Sequence, residues 1–193
     1  MSKTALVVLD MQTGTIEMLR DTATDLDQYL AAVSCTLAGA RKAGIPVVQV
    51  TTSFRPDYAD ASPRNQMAAH IRAAGAYKDT DPAAQLHPTI TAAAADDIHV
   101  KKRRVSAFHG TDLDLVLRSS GIEKIAIAGL ATSGAVLSTV RQAADMDYEI
   151  TVLADLCADL DPDVHRILID KVLAKQASVV TAEEWLAYFL KTK

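Results

Sequence analysis

Short apolar runs recur along this chain, and between them apolar residues fall three and four positions apart. Runs at 5–9, 46–51, 124–128, 149–154 and 178–180 are near-continuously apolar and rich in β-branched residues, the pattern of strands buried on both faces. A sixth, at 98–101, mixes Ile98 and Val100 with His99 and Lys101 and takes its place as a strand from the alternation around it. Leu26, Leu30, Val33, Leu37 and Ala40 form one helical face, with Thr24 and Asp27 predicting a capping-box start and Gly44 and Pro46 a stop. Thr111 with Asp114, Asp161 before Pro162, and Thr181 with Glu184 predict three more helix starts, and 136–146 reads as a further helix. Strands alternating with helices predict parallel βαβ units. The expected fold is therefore α/β: a three-layer αβα, doubly wound, Rossmann-like parallel sheet of six strands in one domain over 1–193. The stretch 53–97 breaks the rhythm, with one predicted helix at 62–73, Gly75 and two proline turns. Connections in such folds are usually a few residues, so this one is expected to cover an active site.

Composition narrows the function. The chain has 193 residues, 49% of them hydrophobic, and a formal net charge of −4. That is enough for one sizeable core, and it offers no basic face for phosphate backbones, which argues against nucleic acid and anionic membrane as partners. A small-molecule partner fits better. The apolar run near the start is short and lacks a basic flank and a small-residue cleavage site, so a cytoplasmic location is expected. Two cysteines, Cys35 and Cys157, are too few for a disulfide framework.

Ligands of an open parallel sheet bind beyond the carboxyl ends of its strands. The residues there are Asp10; Thr52 and Arg55; Lys102; the turn 129–134; and Asp155. An acid on one strand tip and a lysine on another can position a proton and compensate developing negative charge. The turn leads into a helix, so its free N–H groups would serve as an oxyanion or carboxylate cradle. Each feature has a plain alternative: a strand-end aspartate is as often a turn residue, and Lys102 lies in a basic run, Lys101 to Arg104, that reads equally as a solvated edge. Spacing alone leaves that choice open.

Three ordered blocks carry a resemblance: ALVVLDMQ at 5–12, DIHVKKRRVSAF at 97–108 followed by Thr111 and Leu113, and GLATSGAVLST at 129–139. Together they resemble the signature blocks of isochorismatase-like hydrolases, and the similarity runs on through Tyr148 and Asp155 to His165. The resemblance implies a doubly wound parallel sheet, Asp10 as catalytic acid/base, Lys102 as its lysine (Lys101 if the strand slips by one), and a cis peptide between Leu130 and Ala131. It also exposes a departure. Amidase-type members place a cysteine where this chain has Ala135, four before Thr139, and an alanine carries no nucleophile.

What remains is proton chemistry, as in true isochorismatases, which also lack the cysteine. The resemblance implies that Asp10 acts as general acid on a carboxylated metabolite such as a vinyl ether, while Lys102 and the backbone of Ser133, Gly134 and Ala135 hold a carboxylate or oxyanion. Burial of Asp10 favours its protonated form and a close Lys102 opposes it. Gln12, Arg55, Asn65 and His87 are candidates for lining the pocket with Leu130 and Ala131. No metal or organic cofactor is expected, since Asp57 or Asp60 with His70 and His87 gives no ligand spacing. His165 and Asp159 are expected to support the turn, and Trp185 and 188–190 to pack the last helix on the core or on a second subunit. Two other readings stand beside the hydrolase: a catalytically silent binding homologue, and a C–N amide hydrolase using Cys157. Relatives generally associate, so a homodimer or larger homo-oligomer is expected.

Overall fold

The computed structural model describes residues 3–22, 24–91 and 96–190. Positions 92–95 of the long connection, and the side chain of Leu190, lie outside the described residues. In chain order the elements are β1 Lys3–Leu9, α1 Thr13–Glu17, α2 Leu26–Lys42, β2 Val47–Thr52, α3 Gln66–Ala73, α4 Pro88–Thr91, β3 Ile98–Lys102, α5 Leu113–Ser119, β4 Ile122–Leu130, α6 Leu137–Asp145, β5 Glu149–Ala158, α7 Pro162–Ile167, β6 Ser178–Val180 and α8 Ala182–Leu190. The six strands form one parallel sheet in the order β3-β2-β1-β4-β5-β6. The chain builds outward from β1 to β3, then crosses back to place β4 on the other side of β1. That reversal puts a crevice at the carboxyl ends of β1 and β4.

Alternate residues of each strand feed two cores. Ala5, Val7 and Leu9 face the helices on one side, with Leu117, Val136 and Val140. Leu6 and Val8 face the other, with Val33, Leu37 and Trp185. Both faces are covered, which is why the strands read as continuous apolar runs. Among the described residues, no helix is long and apolar enough to cross a membrane.

Several boundaries differ from the expectation for local reasons. The N-cap of α2 is Asp25, whose carboxylate accepts from the Gln28 N–H at 3.1 Å, one residue beyond Thr24. Strand β5 does not stop at Ala154. Asp155 turns its carboxylate to the first turn of α8, accepting from Ala182 N–H at 2.8 Å, and the strand continues to Ala158. Asp155 is thus a cap and not a rim residue. The predicted helix at 62–73 begins at Gln66, because Asn65 caps it by accepting from Ala68 N–H at 3.0 Å. The helix predicted over 136–146 is preceded by one widened turn, Thr132–Val136. The starts predicted at Asp161 and Thr181 are observed with their caps. Trp185 is buried against the core while Tyr188 is 67% exposed.

Gly129 of β4 lies in register with Leu9 of β1. Its φ is +120°, and a Cβ there would overlap the Leu9 backbone, 2.7 Å from its nitrogen. Gly129→Ala is therefore expected to cost more than about 3 kcal/mol by denaturant unfolding, or to abolish soluble folded protein. Wild-type stability in that variant would contradict the packing.

Candidate active site

Three adjacent strand tips converge. Thr52 and Lys102 are register partners at the ends of β2 and β3, and Asp10 follows β1 next to them. Asp10 leaves the strand with φ at +53°, a left-handed conformation that aspartate tolerates better than most residues, while its N–H still reaches Val50 O at 2.8 Å. The side chains close a ring. Lys102 Nζ lies 2.8 Å from Asp10 Oδ2, donates to Thr52 Oγ1 at 2.7 Å, and Thr52 Oγ1 donates to Asp10 Oδ1 at 2.9 Å. Asp10 is 7% and Lys102 2% exposed, so the two charges meet largely out of water, where their attraction is strong and an unpaired partner would be costly. The third Lys102 proton has only a long 3.4 Å contact to Arg104 O. Lys102, not Lys101, is the inward lysine; Lys101 pairs with Asp79 at 3.2 Å.

The opposite wall is the turn after β4. The Leu130–Ala131 peptide is cis. Ser133 N–H donates to Asp159 Oδ2 at 2.6 Å and Gly134 N–H to Ala131 O at 3.1 Å. These two amides hold the turn together, so of the cradle expected from Ser133, Gly134 and Ala135 the first two N–H groups are already spent within the protein. Thr132 Oγ1 donates to Ala158 O at 3.1 Å and lies 2.8 Å from His165 Nδ1. Burial holds the His165 imidazole below its ordinary pKa. Asp159 and His165 therefore support the turn, as expected. Ala135 is buried with its methyl on the cavity.

A cavity of about 590 Å³ lies over the ring. Asp10, Thr52 and Lys102 line it with Leu130, Ala131, Gly134 and Ala135. The remaining wall comes from α3 and the cover segment: Gln66, Met67, His70, Ile71 and Tyr77, with Thr15, Met18 and Val105. Four expected lining residues are elsewhere. Gln12 is fully buried and clamps backbone, donating to Thr52 O at 2.7 Å and Ala84 O at 2.6 Å and accepting from Thr52 N–H at 2.8 Å. Asn65 is the cap of α3. Arg55 has a side chain 66% exposed, beside Asp60. His87 opens α4, its Nδ1 accepting from Thr89 N–H at 3.3 Å. Ser133 is exposed behind the turn. Met67, His70 and Ile71 share one helical face, a signal present in the sequence. Tyr77 had none, because only the folding back of the connection brings it in.

Cys157 lies inside β5, opposite Gly129 in register and buried in the core. Burial pushes its thiol up to about 12. It does not line the cavity.

Fold and geometry together define a doubly wound α/β domain with a buried acid–lysine pair at the carboxyl ends of its strands. Residues 4–184 match the isochorismatase domain, and the chain belongs to the isochorismatase family of hydrolases. It is 31% identical over 183 residues to the uncharacterised isochorismatase family protein YecD of Escherichia coli O157:H7, covering 95% of this chain and 94% of that one. It is 28% identical to the ureidoacrylate amidohydrolase RutB of Agrobacterium fabrum, over 97% of this chain and 86% of that protein. The crystal structure of a cysteine hydrolase from Pseudomonas syringae pv. phaseolicola 1448A shares the fold with a TM-score of 0.85 at 24% identity, covering 99% and 94% of the two chains.

The two thiols differ in surroundings, Cys35 exposed and Cys157 buried. Iodoacetamide at neutral pH is expected to label Cys35 in the native protein and Cys157 only after denaturation, read by peptide mass spectrometry. Native labelling of Cys157 would contradict its placement.

Proposed function

We propose that this chain hydrolyses a small molecule without forming a covalent enzyme intermediate, with Asp10 moving the proton and Lys102 compensating the charge. The observation that carries the reading is the closed Asp10–Thr52–Lys102 ring facing the cavity beside Ala135. Kinship with the amidohydrolase RutB supports hydrolysis as the reaction type. If Ala135 stands where cysteine-bearing relatives carry their nucleophile, as the sequence blocks imply, the attack here falls to water.

The direction of proton transfer follows from the hydrogen bonds. Both Asp10 oxygens accept, one from a hydroxyl and one from an ammonium, which suits a carboxylate acting first as base. Asp10 takes a proton from water as the water oxygen bonds to the substrate carbon. Lys102 exchanges its long contact with Arg104 O for the developing oxyanion. When the intermediate collapses, the leaving group receives the proton from Asp10. The acid role expected from the sequence becomes the second half of this cycle. Of the two anions considered for Lys102, the oxyanion is the one this mechanism uses.

Ala135 also favours a second reading, a binding protein that keeps the pocket and turns nothing over. Cys157 does not supply a third, because its raised thiol is buried away from the cavity. A panel of small esters, amides and vinyl ethers assayed with wild type and Asp10→Asn separates the two. The expected result is turnover that falls about 10²–10⁴-fold in kcat/KM in the variant, with no adduct by intact mass. Turnover unchanged by Asp10→Asn removes the mechanism, and saturable binding without turnover establishes the binding reading.

A further inference from the structure

Tyr77 stands on the cavity wall in an arrangement that packing alone does not require. It is a non-glycine residue at φ +56°, a region that costs a bulky side chain energy and is kept where the surroundings impose it. Its backbone is tied down: its carbonyl accepts from Phe54 N–H at 2.8 Å, just past the tip of β2. Its hydroxyl lies 3.0 Å from Thr15 Oγ1. The first turn of α1 makes room for that oxygen with a glycine, since a Cβ on Gly14 would come within 2.9 Å of it. Four separate local features thus converge on the position of one phenol oxygen.

Tyr77 lines the same cavity as Asp10. Burial, and to a smaller degree the Asp10 charge, hold the phenol above its ordinary pKa, so Tyr77 remains a protonated donor. Tyr77 and Thr15 share one hydrogen bond between two hydroxyls, leaving one O–H proton for an acceptor. The rest of the wall near them is hydrocarbon: Met18, Met67, Ile71, Val105 and Leu130.

The charge of the occupant follows from the same lining. Among the described residues the carboxylate and the lysine on the cavity are Asp10 and Lys102, already bonded to each other, and the one other titratable nitrogen is on His70, exposed at the mouth. A carboxylated substrate, expected from the sequence, would find a lysine whose charge Asp10 already balances and would bring a second anion beside Asp10. An uncharged molecule brings no second anion to that pair.

We propose that the site takes an uncharged molecule with a hydrocarbon body and an oxygen acceptor, and that Tyr77, supported by Thr15, donates the hydrogen bond that selects it. The inference rests on reading this cavity as the substrate site. A donor aimed at a neutral oxygen discriminates through the hydrogen bond lost when the ligand or the hydroxyl is changed.

The test is binding of a matched pair of probes, phenylacetamide and phenylacetate, followed by NMR titration of wild type and Tyr77→Phe. The amide is expected to bind at least about ten-fold tighter than the carboxylate, and Tyr77→Phe to weaken the amide about five- to ten-fold while leaving the carboxylate and the melting temperature unchanged. Equal or tighter binding of phenylacetate, no saturable binding of phenylacetamide, or an amide affinity indifferent to Tyr77→Phe would each overturn the proposal. The readout is equilibrium binding. Turnover that survives Asp10→Asn would therefore sink the catalytic reading and leave this one standing, and a preference for the carboxylate would do the reverse.

Discussion

The buried ion pair between Asp10 and Lys102 constrains nearly everything around it. Two opposite charges removed from water are tolerated only when each finds the other and its remaining hydrogen bonds are satisfied. Here that condition needs three parallel strand tips in register. Lys102 reaches Asp10 across the tip of β2, and Thr52, on that tip, bonds to both. A slip of one residue in β3 would turn Lys101 inward and strand Lys102 on the outer face. The sheet order that places β1 between β2 and β4 also sets the pair against the turn carrying Ala135. Topology and chemistry are thus one requirement.

The cover segment is fastened on both sides of that pair. Gln12 ties the Thr52 backbone to Ala84, so the residue that completes the ring also anchors the cover. On the outer edge, Arg103 bonds Asp60 at 2.6 Å, Arg104 donates to Asp60 O at 3.0 Å, and Lys101 pairs with Asp79. Asp79 also accepts from Ser53 Oγ at 2.6 Å, and this bond, with help from Lys101 and Arg103, holds its carboxyl below the usual range. The basic run is therefore paired with the cover as well as partly solvated, Lys101 remaining exposed. Its members staple the cover to β3 while Lys102 points inward, and this decides which part of the wall, Tyr77 and the α3 face, reaches the cavity.

What the sequence made legible was whatever depends on neighbours close in the chain. Strands buried on both faces betray themselves by composition, and Asp161 and Thr181 cap the helices they immediately precede. The positions of Asp10 and Lys102 at the strand ends were legible because a strand tip is a local feature and the family blocks mark it. The misplacements share a cause. Asn65 and Asp155 looked like pocket and rim residues until the amides they cap, Ala68 and Ala182, were located. Gln12 was expected in the cavity, but its partners are 40 and 72 residues away. Tyr77 depends on a fold-back that no periodicity encodes. The Ser133 amide was expected to be free because a helix N-terminus ordinarily is, and only the long-range approach of Asp159 occupies it.

Unfolding measurements on Asp10→Asn, Lys102→Met and the double variant address this centre most directly. If the pair is the constraint described, each single change costs about 3 kcal/mol or more, because it leaves a lone buried charge. The double change then costs little beyond one of them, a coupling of about 2 kcal/mol or greater. Losses that simply add, with no coupling between the two positions, would contradict the account.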